Sequence, residues 1–198
     1  MPKRGYHHGN LRQALVDAAL ELIEEKGPTG FTLSEAAKRA GVTPAAVYRH
    51  FDGREDLIAE ADRQGYEIFA DLMAYAYDDG RPSALAAFEA TGRAYLAFAR
   101  KHPGHYIAMF ESGISVNHSP ELAALSARAR GIPERAAAEL SQTELTRQTQ
   151  LHEANVSSTE AFDRARLTHA KNLSLADELA ARLETAQLGG RADTIAAA

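Results

Sequence analysis

Cysteine is missing from all 198 residues, which excludes disulfides and thiolate metal sites. No apolar run is long enough to cross a bilayer, and the opening MPKRGYHHGN lacks the apolar core of a secretory signal. The expectation is a soluble, cytoplasmic protein with no membrane partner. Strand patterns are nearly absent, so the expected fold class is all-α. There is no Gly-flanked nucleophile, Gly-rich phosphate loop or HExxH pair, and carboxylates are scattered over helix faces. No enzyme activity, cofactor or metal is therefore expected. His102-Pro103-Gly104-His105 and His118 supply too few ligands at metal spacing and read as helix-end imidazoles exposed to solvent. His7 and His8 read as part of an exposed arm. Aromatics are scarce late in the chain: of fourteen Phe and Tyr, only Phe162 follows Glu111. The last third is instead rich in Thr, Gln, Asn and Ser.

The net charge of −5 argues against nucleic acid, but the charge is unevenly spread. Residues 1–54 hold eight Lys and Arg against six Asp and Glu, with three His besides, which leaves −7 on the remainder. A mildly basic head on an acidic body suits a protein that presents only one end to DNA.

Within that head, TLSEAAKRAGVTPAAVYRHF (residues 32–51) predicts two short helices over a tight turn. Thr32 and Glu35 have the spacing of a capping box. Leu33, Ala36, Ala37 and Ala40 share one face. Gly41 stands where a left-handed backbone ends the first helix, and Val42 plugs the turn. Thr43 is expected to cap a second helix, about Pro44 to His50, with Pro44 at its first position. Val47 and Phe51 point inward, while Thr43, Ala45, Ala46, Tyr48, Arg49 and His50 form an outer rim. Such a pair is the helix-turn-helix unit, whose second helix fits a major groove. An ordinary helical hairpin in an all-α core has similar signals. The second helix, however, is short and poor in large apolar residues, which packing alone does not explain.

A helix from about Asn10 to Lys26, ended by Gly27-Pro28, carries the stripe Leu11, Leu15, Ala18, Ala19, Leu22 and Ile23 on which the pair can pack. Asp52 and Glu55 are read as the cap of a long helix, about Arg54 to Tyr77, with Leu57, Ile58, Ala61, Ile68, Phe69, Leu72 and Met73 inward. Further helices are expected at 83–101, 105–111, 120–130, 133–150, 158–171 and 174–187.

HHGNLRQALVDAALELIEEKG followed by TLSEAAKRAGVTPAAVYRHFDGREDLI resembles the N-terminal head of the TetR family of bacterial transcription regulators, without a gap over residues 7–58. AYLAFARKHPGHYIAMF (94–110) is similar to the regulatory domain of one subgroup, and beyond about Arg130 no similarity is seen. The resemblance implies an all-α homodimer with a DNA-binding domain at 1–53 and a ligand-binding and dimerisation domain at 54–198. It also implies an operator of double-stranded DNA, and an interface formed by 158–187 through Leu167, Leu173, Leu175, Leu179 and Leu183. On DNA, Thr43, Tyr48 and His50 can donate to phosphates or bases, Arg49 belongs to the same rim, and Ala45 and Ala46 can meet thymine methyls. Thr32 with its helix-start amides, and Arg54, are phosphate candidates. Lys3 and Arg4 form an arm able to reach phosphates or a minor groove. Met73, Tyr77, Phe88, Tyr95, Phe98, Tyr106, Met109 and Phe110 could line an apolar cavity for a small effector, although each suits a core equally well. With no basic cluster among the body's apolar stripes, the effector expected is apolar or aromatic. Two rivals stand beside this reading: an all-α enzyme or small-molecule binder whose helix-turn-helix is purely structural, and a protein-interaction module without effector response.

Overall fold

The computed structural model describes residues 11–196. The arm residues Lys3 and Arg4, with His7 and His8, lie outside the described residues. The described residues contain no strand and form eight α-helices: α1 (Leu11–Lys26), α2 (Leu33–Arg39), α3 (Pro44–Val47), α4 (Arg54–Tyr77), α5 (Ala84–Lys101), α6 (Pro103–Glu111), α7 (Pro120–Glu153) and α8 (Thr159–Ala196). A short 3-10 turn, Asp78–Gly80, follows α4.

The chain divides into two compact units that do not follow chain order. One holds the residues up to Gly65 together with Lys101–Ser115; the other holds Tyr66–Arg100 and the chain from Val116 onward. The head–body boundary drawn at 53/54 from the sequence therefore differs from the compact division, which falls inside α4. The physical reason lies in α6, which belongs with the first unit.

In the first unit, Leu15, Val16, Ala19, Leu22 and Ile23 of α1 bury against Phe31, Ala36, Ala37, Val47, Phe51, Leu57, Ile58, Ala61 and Ala108. Ala108 comes from α6, which meets α1 at Gly104. A Cβ there would stand 2.9 Å from the Leu20 carbonyl oxygen, so only glycine permits this approach. The Gly104 amide donates to Glu24 Oε1 at 2.9 Å, satisfying a donor that the start of α6 leaves open. On its other side, α6 meets α4 at Gly65, where a Cβ would lie 2.7 Å from Met109 Sδ. His105, expected exposed, is buried, and its Nδ1 lies 2.9 Å from the Ala61 carbonyl oxygen. Burial pushes its pKa down, so the ring is neutral and donates through Nδ1–H.

Asp62, on the inward face of α4, is fully buried, and neither carboxylate oxygen has a hydrogen-bond partner. Burial raises its pKa to about 7. Ile68, expected inward, is 37% exposed.

In the second unit, Phe69 packs edge-on against Tyr95 and at 5.0 Å against Phe98, joining α4 to α5. Ser83 caps α5 by accepting from the Ala86 amide, and Ser119 caps α7 by accepting from the Leu122 amide. The later expectations need correction. The helices anticipated at 120–130 and 133–150 are one helix, and so are those at 158–171 and 174–187. Gly131-Ile132-Pro133 looks like a helix stop, but buried Ala129, Ile132 and Ala136 carry α7 through it. Side-chain burial there outweighs the roughly 3 kcal/mol that an interior proline costs a helix.

A buried carboxyl with a raised pKa binds its proton in the folded state over a range where the unfolded chain, with a carboxyl near 3.8, has released it. Stability should therefore fall as pH rises from about 4 to about 7 and level off above that. Relative to its difference from the native chain near pH 3, Asp62→Asn, which cannot ionise, should already be more stable by about 2 kcal/mol at pH 5. At pH 8 it should be more stable by on the order of 4 kcal/mol, measured by urea unfolding at all three pH values.

Candidate nucleic-acid interface

The first half of the helix pair forms as its sequence predicts. Thr32 Oγ1 accepts from the Glu35 amide at 3.2 Å, and Glu35 Oε2 accepts from the Thr32 amide at 2.9 Å, completing the capping box. Lys26 Nζ pairs with Glu35 at 2.5 Å; this bond and those from Thr32 hold the Glu35 pKa at about 2. At the other end, Gly41 has φ +74°. Its amide donates to the Lys38 carbonyl at 3.2 Å, and the Val42 amide donates to Ala37 at 2.9 Å. This crossed pair is the Schellman arrangement that needs a left-handed residue at position 41.

The second helix is shorter than the expected Pro44 to His50. Regular α-helix covers Pro44–Val47, and residues 48–50 continue as a turn. There the His50 amide donates to the Val47 carbonyl at 2.9 Å. Thr43 has the extended backbone of a cap, but its hydroxyl makes no capping bond, contrary to expectation. The N-cap of the next helix also differs: Asp56, not Glu55, reaches back, accepting from the Asp52 amide at 3.0 Å.

Exposure separates the two faces cleanly. Val47 is fully buried, whereas Thr43, Pro44, Ala45 and Arg49 are exposed and Ala46 and His50 are half-buried. Tyr48 is 62% exposed. Among the described residues, the side chains of Lys38 and Arg49 make no ion pair, so both charges face outward. The result is a small-residue ridge flanked by a hydroxyl, a phenol, an imidazole and two cations. A ridge of this kind can approach a polyanionic groove closely while its flanks bind phosphate oxygens.

Two candidates are engaged inside the protein. The Thr32 hydroxyl and amide both serve the capping box, leaving little to offer a phosphate. Arg54 Nη1 donates to the Thr29 carbonyl at 2.9 Å and lies 3.5 Å from that of Phe31, bracing the loop between α1 and α2. Arg12, near the start of α1, bonds to the backbone at His50 and to Glu60. Nothing local in the sequence marks these long-range partners.

The eight candidate effector contacts are divided between the two units. Met73, Tyr77, Phe88, Tyr95 and Phe98 belong to the second unit, and Tyr106, Met109 and Phe110 to the first. Met73 and Phe98 are buried packing residues, and Met109 closes the contact with Gly65. Phe88 and Phe110 are 40% and 42% exposed. The Tyr106 ring packs tilted against that of Phe110 at 4.9 Å. Tyr77 donates to Glu139 beneath the Arg135 guanidinium; burial and that carboxylate raise its pKa to about 12. Within the second unit, α7 and α8 line an open groove of about 920 Å³ with Ile132, Arg135, His169 and Leu173 on its walls. A smaller groove of about 390 Å³ includes Phe88, the one candidate found on either wall. Of the candidate interface residues on α8, Leu167, Leu173 and Leu175 are exposed, Leu183 is half-buried, and Leu179 is buried against its own chain. Among the described residues, no cluster of three or more His, Asp or Glu is arranged for a metal ion, and no helix is long and apolar enough to cross a membrane.

Comparison with known proteins adds to this geometry. The family model for bacterial regulatory proteins of the tetR family matches residues 15–61, and that for the Tetracyclin repressor-like C-terminal domain matches residues 88–186. The HTH-type transcriptional regulator YobS of Bacillus subtilis is 30% identical over 100 residues, 50% of this chain and 51% of its own. The HTH-type transcriptional regulator BetI of Rhizobium meliloti is 45% identical over 58 residues, 29% of this chain and 28% of its own. The chain thus spans about half or less of the length of these curated relatives. In fold, it is similar to a protein of unknown function from a Rhodococcus species, with a TM-score of 0.54 and 22% identity over 91% of this chain and 88% of that one. It is also similar to the TetR family transcriptional regulator PfmR from Thermus thermophilus, with a TM-score of 0.53 and 15% identity over 89% and 94%. At these identities the likeness is one of fold. The similarity of the body beyond residue 130, not visible in the sequence reading, is carried by the second family model.

Arg54→Ala should lower stability by about 1–2 kcal/mol through loss of the hydrogen bond to the Thr29 carbonyl. Denaturant unfolding of the purified variant measures this.

Proposed function

The chain belongs to the TetR family of bacterial regulatory proteins, and on that premise we propose that it is a homodimeric transcriptional repressor released from a near-palindromic operator by a small apolar or aromatic effector. It carries that family's helix-turn-helix head; the operator, the effector and the sign of regulation are the proposed parts. The observation that carries the DNA-binding part is the one-sided burial of residues 43–50. Val47 alone is fully buried, and the small and hydrogen-bonding side chains around it are exposed or half-exposed. A helix built for packing would bury more than one of its side chains.

Ala45 and Ala46 can contribute only apolar contact to base edges, so sequence selectivity falls to Thr43, Tyr48 and His50. Most of the affinity is then phosphate-based and salt-sensitive. Lys3 and Arg4 would add phosphate or minor-groove contacts. Two heads in a dimer would meet successive major grooves about 34–36 Å apart. The exposed Leu167, Leu173 and Leu175 on α8 support dimerisation through that helix, because unpaired leucines of this kind favour burial. The groove along α7 and α8 with Leu173 on its wall, and the smaller one with Phe88, are two places among the described residues of the body where apolar surface remains open. Effector binding would shift the dimer toward a state that fits DNA poorly, by a coupling of roughly 1–3 kcal/mol. The effector must favour that state for any shift to occur.

Selection of duplexes from a random pool by the purified protein, followed by a gel-shift series, tests the reading. A recovered near-palindromic site should bind the native chain, and Tyr48→Ala should reduce affinity at least about tenfold while thermal unfolding and dimer mass stay unchanged. Near-native affinity of Tyr48→Ala would remove the recognition surface from residues 43–50.

A further inference from the structure

Arg12 sits in the first turn of α1, and its guanidinium is used in three directions at once. Nη1 donates to the His50 carbonyl oxygen at 3.0 Å. Nη2 pairs with Glu60 Oε2 of α4 at 3.0 Å. The guanidinium carbon stands 4.6 Å over the centre of the Phe51 ring. Only a planar fork of donors can satisfy a carbonyl and a carboxylate together while lying flat on a ring; a lysine ammonium cannot.

The acceptor on α4 is itself fixed. Glu60 also accepts from Arg63 at 3.1 Å and from Gln64 at 2.9 Å, and its side chain is only 12% exposed. Beside it, Gln13 and Gln64 exchange amide hydrogen bonds at 3.1 and 3.0 Å. This differs from an isolated surface ion pair, whose contribution is usually small. Here one exposed partner joins a largely shielded, multiply bonded carboxylate.

What Arg12 holds is the exit of the recognition helix. Its entry is set by the Schellman turn at Gly41, and its middle by Val47. Past Tyr48, the backbone is fixed by turn bonds and by Phe51 in the core. We infer that Arg12 is a positioning residue for the DNA-reading surface: through the His50 carbonyl it sets where Tyr48, Arg49 and His50 stand, without itself touching DNA. The inference rests on the DNA-binding reading above.

The test uses the full chain and a duplex selected from a random pool by the native protein, with affinity followed by fluorescence anisotropy over a salt series. Arg12→Ala and Arg12→Lys should each weaken binding by about tenfold or more, as loss of a charge-assisted hydrogen bond implies. The slope of log affinity against log salt should not change, because no phosphate contact is lost. Glu60→Gln should weaken binding too, although it removes a negative charge. Far-UV helicity and unfolding midpoint confirm that each variant is folded at the assay temperature; the conservative Arg12→Lys keeps the test decisive if Arg12→Ala is not. Three results would overturn the inference: native affinity for Arg12→Lys, a slope reduced by about one for Arg12→Ala, as loss of a phosphate contact predicts, or tighter binding by Glu60→Gln. If the native chain selects no duplex, the DNA-binding reading fails and takes this one with it. A duplex that the native chain binds and Tyr48→Ala does not leaves that reading standing, and the Arg12 and Glu60 variants then decide the inference alone.

Discussion

One buried side chain anchors the recognition helix. Val47 is the only residue of α3 that reaches the core, so four residues of helix are fastened by a single apolar contact and by what happens at either end. A helix of this length has no stability of its own in water. Its geometry is therefore imposed from outside: by the left-handed turn at Gly41 before it, and by Phe51 and the Arg12 guanidinium after it. The brevity is also what frees the outer face. Any further inward residue would draw a rim side chain away from solvent.

The rest of the first unit can be understood as support for that small element. The buried stripe of α1 gives Phe31, Ala36, Val47 and Phe51 something to pack on. Arg54 ties the loop before α2, and Arg39 bridges Glu21 and Glu25 of α1, fixing α2 against it. Charged residues in this unit thus do two kinds of work. Arg12, Lys26, Arg39 and Arg54 are matched by internal acceptors, whereas Lys38 and Arg49 face outward. Net charge alone could not separate these groups.

What could be read from the sequence was what local chemistry encodes. The capping box at Thr32, the glycine at 41 and the stripe of α1 depend on residues within a few positions of each other, and all formed. The capping bond expected of Thr43 and the reach of Glu55 to Asp52 failed locally, but the other misses share a cause: each needed a partner far along the chain. Arg54 looked like an outward cation because Thr29 lies 25 residues earlier. His105 looked exposed because the Ala61 carbonyl that holds it is 44 residues away. Pro133 looked like a stop because the burial that carries α7 through it involves other helices. Asp62 went unnoticed because its position on the inward face of α4 matters only once that face is closed. The eight effector candidates were chosen as aromatic and thioether residues at helical spacing, a criterion that finds packing as readily as a cavity; Met73, Phe98 and Met109 are packing.

The two glycines that bracket α6 bear on how this unit can deform. Where helices meet through long side chains, rotamer changes absorb small displacements before the backbone feels them. At Gly104 the α6 backbone lies directly against the Leu20 carbonyl and the Glu24 carboxylate, and at Gly65 the α4 backbone lies against Met109 and His105. Between α6 and α1 there is almost no compliant layer, whereas at Gly65 the Met109 side chain lies between the two backbones. The joint with α1 behaves like a gear cut without play: a sub-ångström movement of α6 is passed to α1 nearly whole, while the Met109 thioether gives the α4 side some slack.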